Sequence, residues 1–426
     1  MFALPVTLSA FVLILVLARF RVPLGAAVSL GSVVMGLAFG LDANGLVQSA
    51  WTGATNSQAL TLVTATVLLL GLSVLMRESG QLDEIVSLAH ALLRRPAATM
   101  MAMPALIGLL PMPGGAIFSA PMVEAAGGKS GLSHGLLSYI NYWFRHIWEY
   151  FWPLYPGVIL AITLTNLDIP SWTALMVFGT VSMTLGGLLM MRKTNGQLEV
   201  ERAAPSRGVK RKLLRATGSI WMILLIWAAG HFSATFCSGI IPDAVLRQGP
   251  LVLGLLGSIL FTVITRKLNL SHLRKAFSQP VTYSTAGLVL SIMIFQSILQ
   301  AIRAPQQIAG ELQNLHVPIA CVVAILPFIA GFVTGIAVGF VGTALPIVLN
   351  LVGAADAAGP VLAYIPLAYA FGHLGQMLSP LHVCQIVSNR YFGTTYGPVY
   401  RYLVPSSLLT AALNISYFLL LISLLK

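Results

Sequence analysis

The chain has 426 residues, of which 57% are hydrophobic and only 8% are charged. Soluble domains carry about 25% charged residues, so this composition, with a mean hydropathy of +0.87, excludes a soluble globular protein. The 24 Lys and Arg residues outnumber the 12 Asp and Glu residues, which gives a formal charge of +12. In a soluble protein that excess would indicate a nucleic-acid partner. In a membrane protein it first reports orientation, and we expect no nucleic acid here.

Apolar segments of about 20 residues, the length that crosses the hydrocarbon core, recur along the chain. They lie near residues 3–19, 23–43, 57–76, 131–166 and 171–191 in the first half, and near 217–236, 249–265, 281–302, 358–389 and 403–425 in the second. Two further apolar stretches are interrupted midway: 97–127 at Pro111, Pro113, Gly114 and Gly115, and 316–353 at Gly335, Gly339 and Gly342. Irregular backbone is tolerated at membrane depth only inside protein or beside water. The sequence therefore predicts an all-α polytopic membrane protein of ten spans with two re-entrant hairpins.

The segment between the halves, residues 192–215, carries eight basic and two acidic residues, so we expect it in the cytoplasm. Threading the ten spans outward from this linker places twenty of the 24 basic residues on the cytoplasmic side. Both termini then lie outside. Arg19 and Arg21 follow the first apolar run, which favours a retained span over a cleaved signal peptide. We expect a multi-pass protein of the bacterial inner membrane, with the lipid bilayer as a partner.

Short sequence matches recur between the two halves at a nearly constant offset. Residues 103–108 match 326–331 at an offset of 223, residues 121–123 match 346–348 at 225, and residues 146–149 match 373–376 at 227. Five spans per half is an odd number, so a second copy would be inverted. We predict a first repeat over 1–191 and an inverted second repeat over 216–426. Paired broken segments in inverted repeats are typical of secondary transporters; a duplicated scaffold without transport is the alternative.

The segment NYWFRHIWEYFWPLYPG, residues 141–157, holds the charges of the first broken helix, 131–166, which we expect Pro153 to interrupt. Arg145 and Glu149 are four residues apart, which predicts that both lie on one face of a helix. Charges inside a span mark a pathway or a paired site. We expect Arg145 to hold an anionic group, and Glu149 with His146 to handle a coupling ion, H⁺ or Na⁺. A static Arg145–Glu149 ion pair is the alternative.

The second broken helix is predicted over 358–389, and its corresponding stretch, residues 371–385, reads FGHLGQMLSPLHVCQ. Gln376 stands where the first half has its glutamate, and His373 and His382 are nine residues apart, which is not a metal-ligand spacing. His382 and Cys384 are two potential zinc ligands, but no third ligand is near in sequence, so we expect no metal. Gln376 and the two histidines, whose ordinary pKa is about 6.5, are candidates for ion coupling. Histidines that only hydrogen-bond between helices are the alternative.

The glycines of the two hairpins predict a backbone binding site. Glycine allows close approach, and N–H groups at helix N-termini bind anions; tight helix packing in lipid is the alternative. The substrate-binding candidates at the hairpins are Gly114, Gly115, Ser119, Thr334, Gly335, Gly342 and Thr343. The sequence lacks HExxH, GxxxxGK[ST] and a GxGxxG that follows a strand. We therefore expect a protein that is not an enzyme and that needs no cofactor besides the coupling ion.

Three segments together resemble a bacterial and archaeal membrane family catalogued as domain of unknown function 401: LIGLLPMPGGAIFSAPMVEAAG, NYWFRHIWEYFWPLYPG and FGHLGQMLSPLHVCQIVSNRYFG. That family resembles gluconate permeases, dicarboxylate–sodium symporters and sodium/proton antiporters of the ion transporter superfamily. The resemblance implies a scaffold part, through which a homodimer could form, and an elevator-like moving part containing 97–166 and 316–389. The dicarboxylate symporters carry Ser-Asn-Thr motifs at their hairpin tips, where this chain has Pro-Gly-Gly and Val-Gly-Thr. Sodium coupling and dicarboxylate specificity are therefore not implied.

The leading hypothesis is a secondary transporter that moves a small organic anion, a carboxylate, coupled to H⁺ or Na⁺ by alternating access. The alternative is a monovalent cation/proton antiporter in which Glu149 binds the cation and Arg145 is its structural partner. A membrane-embedded enzyme or a non-transporting scaffold forms the third class. The partners expected are thus a small-molecule anion or cation and the bilayer.

Overall fold

Helices are the only regular secondary structure in the described part of the chain. The computed structural model describes residues 3–20, 22–92, 96–109, 115–127, 131–191, 208–237, 243–303, 307–308, 311, 314, 317–354 and 360–425. In chain order the helices are α1 (Ala3–Arg19), α2 (Leu24–Ala38), α3 (Ala43–Thr55), α4 (Ser57–Glu78), α5 (Gln81–His90), α6 (Pro96–Gly108), α7 (Ala116–Gly127), α8 (His134–Arg145), α9 (Pro156–Thr165), α10 (Ile169–Met191), α11 (Val209–Ala216), α12 (Gly218–Cys237), α13 (Asp243–Thr265), α14 (Leu270–Phe277), α15 (Pro280–Ala301), α16 (Ile319–Thr334), α17 (Ala337–Thr343), α18 (Leu345–Ala354), α19 (Val361–Leu378), α20 (Val383–Tyr391) and α21 (Tyr396–Leu425). The predicted all-α class is confirmed for these residues.

Within the described ranges, six helical segments are long and apolar enough to cross a membrane. They are Ser57–Glu78, Ile169–Met191, Pro280–Ala301, Ala337–Ala354, Val361–Tyr391 and Tyr396–Leu425. The pair α11 and α12, bent by 60°, adds a seventh if it forms one span. The chain is therefore a multi-pass membrane protein. Several predicted spans correspond to shorter helices, such as α1 with 17 residues and α2 with 15, so the count of ten spans stays a prediction.

Two short helices that the span pattern does not predict, α3 and α14, precede the long helices α4 and α15. The carboxylate of Asp42 accepts a 2.8 Å hydrogen bond from a backbone N–H group of α3, and Asn269 caps α14 in the same manner. The predicted span 23–43 is thus too long. Its helix ends at Ala38, since Gly40 has a φ of +89° and Asp42 starts a new helix. The short helix α3 packs against α15, and α14 packs against α4.

The first predicted hairpin contains α6 and α7, and residues 110–114 between them lie outside the described residues. The end of α7 lies beside the start of α6, because Gly127 faces the sulfur of Met100 too closely to leave room for a side chain. Both helices also pack on α8. The two helices therefore form a helical hairpin, and its re-entrant course through the membrane stays a prediction.

The second predicted hairpin contains α16, α17 and α18. The interruption predicted at Gly335 is present: α16 ends at Thr334, and Gly335 has a φ of +65°, a left-handed conformation that favours glycine. Gly339 and Gly342, predicted in the same break, instead lie inside α17. The next interruption is at Ala344, before α18 begins.

The first broken helix is interrupted earlier than its prolines predict. Helix α8 ends at Arg145 and α9 begins at Pro156, with a series of turns between them. The prediction that Arg145 and Glu149 lie on one face of a helix is therefore wrong. Pro153 and Pro156 remove the hydrogen bonds that the carbonyl groups of residues 149 and 152 would accept, and their rings clash with those groups. A regular helix cannot continue from Glu149 to α9.

Aromatic side chains hold these turns against α6. Trp148 and Trp152 donate hydrogen bonds of 2.9 and 3.0 Å to backbone carbonyl groups at the end of α6, and Tyr155 donates to that of Gly108. The last carbonyl groups of a helix have no partner within it, so the turns supply the donors that α6 lacks. A Cβ on Gly108 would overlap the carbonyl group of Arg145. The end of α8 thus rests directly on α6.

Contacts between the loops agree with the predicted threading. Glu84 pairs with Arg266 at 2.6 Å, and Glu78 pairs with Lys275 at 2.5 Å; the prediction places all four residues on the cytoplasmic side. Glu311 accepts hydrogen bonds of 2.6 and 2.7 Å from the first backbone N–H groups of α1, and both segments belong to the predicted outside. Each contact joins segments of one predicted side. Which side faces the cytoplasm stays a prediction.

The helices pack in two groups. Helices α1–α5 and α11–α15 share most of their contacts with one another, as do α6–α10 and α16–α21. The boundary between the groups includes contacts of α4 with α9 and of α15 with α17. We call the first group the outer group and the second the broken-helix group, because the second contains both interrupted helices.

Candidate functional site

A cavity of about 770 Å³ lies between the outer group and the broken-helix group. Helices α2, α4 and α15 form one wall, with small residues such as Gly25 and Gly287 and hydroxyl groups such as Ser29 and Ser291. The opposite wall is formed by the ends of α8 and α9, the tip between α16 and α17, and the break between α19 and α20. The volume is in the range of about 300–1,000 Å³ that small-molecule pockets have.

The wall from the broken-helix group carries the ionisable side chains. The structure brings six sequence-predicted site residues to this cavity: Arg145, His146, Glu149, Gly335, Gln376 and His382. Of the Lys, Arg, Asp and Glu residues that the structure describes, only Arg145 and Glu149 are buried, with exposures of 3% and 7%. Side chains more than 200 residues apart in the chain thus meet at one wall.

Glu149 joins the two breaks. The side-chain amide of Gln376 donates a 2.8 Å hydrogen bond to Oε2 of Glu149, and Nε2 of His373 lies 3.6 Å from the same oxygen. Nε2 of His146 lies 3.8 Å from the other oxygen, Oε1. Imidazole and amide nitrogens therefore surround this carboxylate. The static pair of Arg145 with Glu149 stays an alternative that these contacts do not test.

Arg145 is buried at the C-terminus of α8. The last carbonyl groups of a helix carry partial negative charge and stabilise a cation, which offsets part of the cost of burying the guanidinium group. The side chain lines the cavity, while the backbone of the same residue contacts Gly108. The position of this charge is therefore set by helix packing.

Two helices begin at the cavity. Helix α9 starts at Pro156 and α20 at Val383, and the first residues of both line the cavity. The first backbone N–H groups of a helix have no partner within it and carry partial positive charge. The second hairpin comes close because Gly157 has no side chain: a Cβ there would lie 2.7 Å from that of Ala337. Arg145 and these helix ends make the wall suited to an anion.

Three potential metal ligands converge beside Arg145. The ligand atoms of His146, His382 and Cys384 all lie within 4.8 Å of one another, and the three residues are buried. The two imidazole rings meet edge to face, with centroids 4.6 Å apart, and Nδ1 of His146 lies 2.7 Å from the carbonyl oxygen of Tyr142. The fold brings His146 from the other half to His382 and Cys384 as a third potential ligand, which their sequence neighbourhood does not contain. The expectation that no metal binds stays a prediction.

The described candidates of the first hairpin do not line the cavity. Gly114 lies outside the described residues, and Gly115 directly precedes α7. Ser119 is buried, and its hydroxyl group donates a 2.6 Å hydrogen bond to Oδ1 of Asn141 on α8. That contact attaches α7 to α8. A substrate-binding role for these residues stays a prediction.

Three candidates of the second hairpin and one histidine also lie outside the lining. Thr334 and Thr343 each donate a 2.7 Å hydrogen bond to a backbone carbonyl group one turn earlier. Gly342 faces Ile292 of α15, where a Cβ would overlap the isoleucine side chain. His373 is fully buried behind Glu149. Their predicted roles are not tested by these positions.

The sequence matches the family described as "Protein of unknown function (DUF401)" over residues 3–207 and 238–422. The chain belongs to the DUF401 family. The resemblance drawn from its three sequence segments is confirmed. No curated protein matches this DUF401 sequence.

Among solved structures, the DUF401 chain is similar to the Alcanivorax borkumensis YdaH transporter, whose crystal structure is reported to reveal an unusual topology. The TM-score is 0.50 and the sequence identity is 15%, over 90% of this chain and 90% of that chain. At this identity the likeness concerns the fold alone.

Sequence reasoning missed two tight contacts of the DUF401 fold. Gly108 rests on the carbonyl group of Arg145, and Gly331 rests in the same way on that of Gly372. The matched segments 103–108 and 326–331 both end in these glycines, so the repeat pattern contained the signal. The meeting of His146 with Cys384 left no such signal, because their positions do not correspond in the two halves.

Proposed function

We propose that this DUF401 protein is a secondary active transporter that moves a small organic anion, a carboxylate, across the bacterial inner membrane. The observation that carries the proposal is the cavity between the two helix groups, with a buried arginine and two helix N-termini on one wall. The fold likeness to a protein described as a transporter supports the same conclusion. The absence of enzyme motifs in the sequence is consistent with transport as the activity.

The recognition step uses Arg145. A guanidinium group binds a carboxylate through two parallel charge-assisted hydrogen bonds, and burial strengthens that attraction because the local dielectric constant is low. The N–H groups at the starts of α9 and α20 add donors from two further directions. Gln376 and two histidines contact the carboxylate of Glu149, so this carboxylate has partners of its own in the absence of a substrate.

The coupling step uses the Glu149 cluster, and its surroundings favour H⁺ over Na⁺. Hard cations prefer shells of oxygen ligands, whereas the groups that contact Glu149 are nitrogens of His146, His373 and Gln376. A proton taken up by this cluster adds one positive charge beside Arg145. The anion and the proton then favour each other's binding, and this mutual dependence is the coupling.

An inverted repeat about Glu149 and Gln376 is part of the proposal. The two residues are related by the offset of 227, and they hydrogen-bond to each other. Tyr142 and Tyr369, related by the same offset, reach into the opposite half: Tyr142 donates to the carbonyl group of Met377, and Tyr369 donates to that of Glu149. Such reciprocal contacts support a pseudo-twofold axis at this point. The repeats would comprise residues 1–191 and 216–426, joined by the cytoplasmic linker 192–215.

Alternating access would follow from movement of the broken-helix group against the outer group. All ionisable side chains of the cavity belong to the broken-helix group, and the outer wall offers small residues and hydroxyl groups. A site carried wholly by one group can move with its cargo past a wall that makes few strong contacts. This arrangement supports the elevator-like mechanism that the family resemblance implies.

Uptake into liposomes tests the proposal. Purified protein should accumulate a radiolabelled carboxylate from a panel of mono-, di- and tricarboxylates when an inward proton gradient is imposed, with a sodium gradient as the comparison. Arg145→Gln should reduce uptake by about 30-fold or more, since loss of one partner of a buried charged pair costs about 2–5 kcal/mol. Arg401→Gln, the same substitution at an exposed arginine of α21, should leave uptake unchanged. Absence of carboxylate uptake under both gradients, or full uptake by the Arg145 variant, would contradict the proposal.

The alternative, a monovalent cation/proton antiporter, has one observation in its favour. Glu149 is the buried carboxylate of the described chain and lies at the cavity. A pH-sensitive dye trapped in the same liposomes separates the two functions. A fluorescence response to Na⁺, K⁺ or Li⁺ that Glu149→Gln abolishes, without any carboxylate uptake, would replace the anion proposal with this one.

A further inference from the structure

We propose that His146, His382 and Cys384 form a binding site for a thiophilic divalent cation of the zinc class at the wall of the cavity. The three ligand atoms lie within 4.8 Å of one another in a buried cluster. Imidazole nitrogen and thiolate sulfur are the ligands that Zn²⁺ and similar ions select. This site does not depend on the transport proposal, because metal binding can be measured without any substrate.

The distances suit a site that closes around an ion. Zinc bonds of about 2.0–2.1 Å to nitrogen and about 2.3 Å to sulfur in a tetrahedron place ligand atoms roughly 3.3–3.7 Å apart. The present separations, at most 4.8 Å, exceed those values by no more than about 1.5 Å, which side-chain rotations can supply. His146 lies at the end of α8, and the other two ligands lie at the start of α20. The ligands therefore stand on helix ends that are themselves held by packing.

Neighbouring groups favour the ligating form of each side chain. Nδ1 of His146 lies 2.7 Å from the carbonyl oxygen of Tyr142, so Nδ1 carries the hydrogen and Nε2 keeps the lone pair for a metal. Nδ1 of His382 is buried, and it has no hydrogen-bond partner among the described residues. A buried polar atom without a partner costs free energy, and a bond from this imidazole to a metal ion would offset that cost. The N-terminus of α20 stabilises negative charge on the sulfur of Cys384.

A fourth position would face the cavity. Sites with three protein ligands keep one position for water or another small ligand, and all three residues here line the cavity. The thiolate and Glu149 offset Arg145, so a divalent ion would leave the cluster with a formal charge of plus one. An organic carboxylate could neutralise that charge by binding at the open position.

Cobalt titration of the full-length protein tests the site. Protein purified in detergent and stripped with a chelator should bind one equivalent of Co²⁺, with a thiolate-to-cobalt charge-transfer band that Zn²⁺ displaces. Cys384→Ser should abolish the band, and His146→Gln and His382→Gln should each weaken binding by about tenfold or more. Cys321→Ser, at an exposed cysteine of α16, is the matched control and should keep the band. A wild-type protein without the band, or a Cys384→Ser protein that retains it, would overturn the proposal.

A second measurement avoids variants that fail to fold. N-ethylmaleimide labelling of the wild-type protein, followed by mass spectrometry of the cysteine peptides, reports the reactivity of each thiol. Saturating Zn²⁺ should slow alkylation of Cys384 by about tenfold or more, since a metal-bound thiolate is held out of reaction, and should leave that of Cys321 unchanged. Equal rates at Cys384 with and without Zn²⁺ would contradict the site.

Discussion

Residues 146–155, between α8 and α9, and residues 379–382, between α19 and α20, interrupt two helices that face the same cavity. The first break follows Arg145 and contains Glu149, whereas the last turn of the helix before the second break contains the uncharged Gln376. The two side chains that correspond, Glu149 and Gln376, hydrogen-bond to each other. Two breaks that face one cavity thus carry different chemistry, a carboxylate at the first and a neutral amide at the second. Because Glu149 and Gln376 differ in charge, the contact between the two halves forms one asymmetric site and not two equivalent ones.

The two breaks are also held in different ways. Three aromatic side chains tie the longer first break to the end of α6 through hydrogen bonds. In the second break, the hydroxyl group of Ser379 accepts a 3.2 Å hydrogen bond from the backbone of Leu381, and Gly335 of the hairpin tip packs against it. The longer break needs partners from another helix, since its own turns leave more backbone groups to satisfy.

The strongest test of the comparison is the pair of glycine contacts. A Cβ on Gly108 would overlap the carbonyl group of Arg145, and one on Gly331 would overlap that of Gly372. We expect Gly108→Ala and Gly331→Ala each to lower stability by about 3 kcal/mol, at the upper end for overpacking. The melting temperature and gel-filtration profile in detergent would measure this loss. Gly397→Ala, where nothing lies within 4 Å, should change neither, and a tolerated alanine at Gly108 or Gly331 would show that the halves differ at this contact.

An exchange of Glu149 and Gln376 tests which half must carry the charge. Glu149→Gln should remove the dependence of carboxylate uptake on the proton gradient, because the titrating group is lost. The double variant Glu149→Gln with Gln376→Glu restores a carboxylate beside the same histidines. It should recover gradient-dependent uptake by about tenfold over the single variant, since groups in contact couple by about 0.5–3 kcal/mol.

The control for this exchange is Glu124→Gln, at an exposed glutamate that accepts a hydrogen bond from Tyr391. It should keep both uptake and its gradient dependence. A double variant as inactive as the single one would mean that the charge functions only in the first break.

The smallest effect concerns two tyrosines. Tyr142 donates a 3.0 Å hydrogen bond to the second half, and Tyr369 donates a 2.7 Å hydrogen bond to the first. We expect Tyr142→Phe and Tyr369→Phe each to lower the unfolding free energy by about 1 kcal/mol, the usual contribution of such a bond. Denaturant unfolding followed by tryptophan fluorescence would measure it. Tyr283→Phe, at an exposed tyrosine, should leave the unfolding free energy unchanged. A lower unfolding free energy in only one of the two buried-tyrosine variants would show that the two contacts between the halves are not equivalent.

Much of the fold could be predicted from hydropathy and from the positions of glycine and proline. The long apolar helices and the interruption at Gly335 followed from these patterns. The short helices α3 and α14 did not, because Asp42 and Asn269 cap them in segments too polar to register as spans. Capping residues determine where such helices begin. A search for apolar segments of about 20 residues does not detect them, because they are shorter and more polar.

The site could be predicted in its composition but not in its geometry. Arg145, His146, Glu149 and His382 were candidates because polar groups inside spans are costly. The prediction that Arg145 and Glu149 share a helix face was wrong, because residues four apart share a face only where the helix continues between them. The approach of His146 to Cys384 depends on packing between distant segments, which no local spacing encodes.

The contact between Gly108 of α6 and the end of α8 is made by the backbone carbonyl group of Arg145. At the related contact of the second half, glycine occupies that place, so helix packing there proceeds with no side chain at all. An arginine and a glycine thus present the same backbone atom to Gly108 and Gly331, so these two contacts do not dictate which side chain follows them. If Arg145 binds the anion as proposed, the recognition charge stands on a position whose tight packing with α6 is a property of the backbone alone.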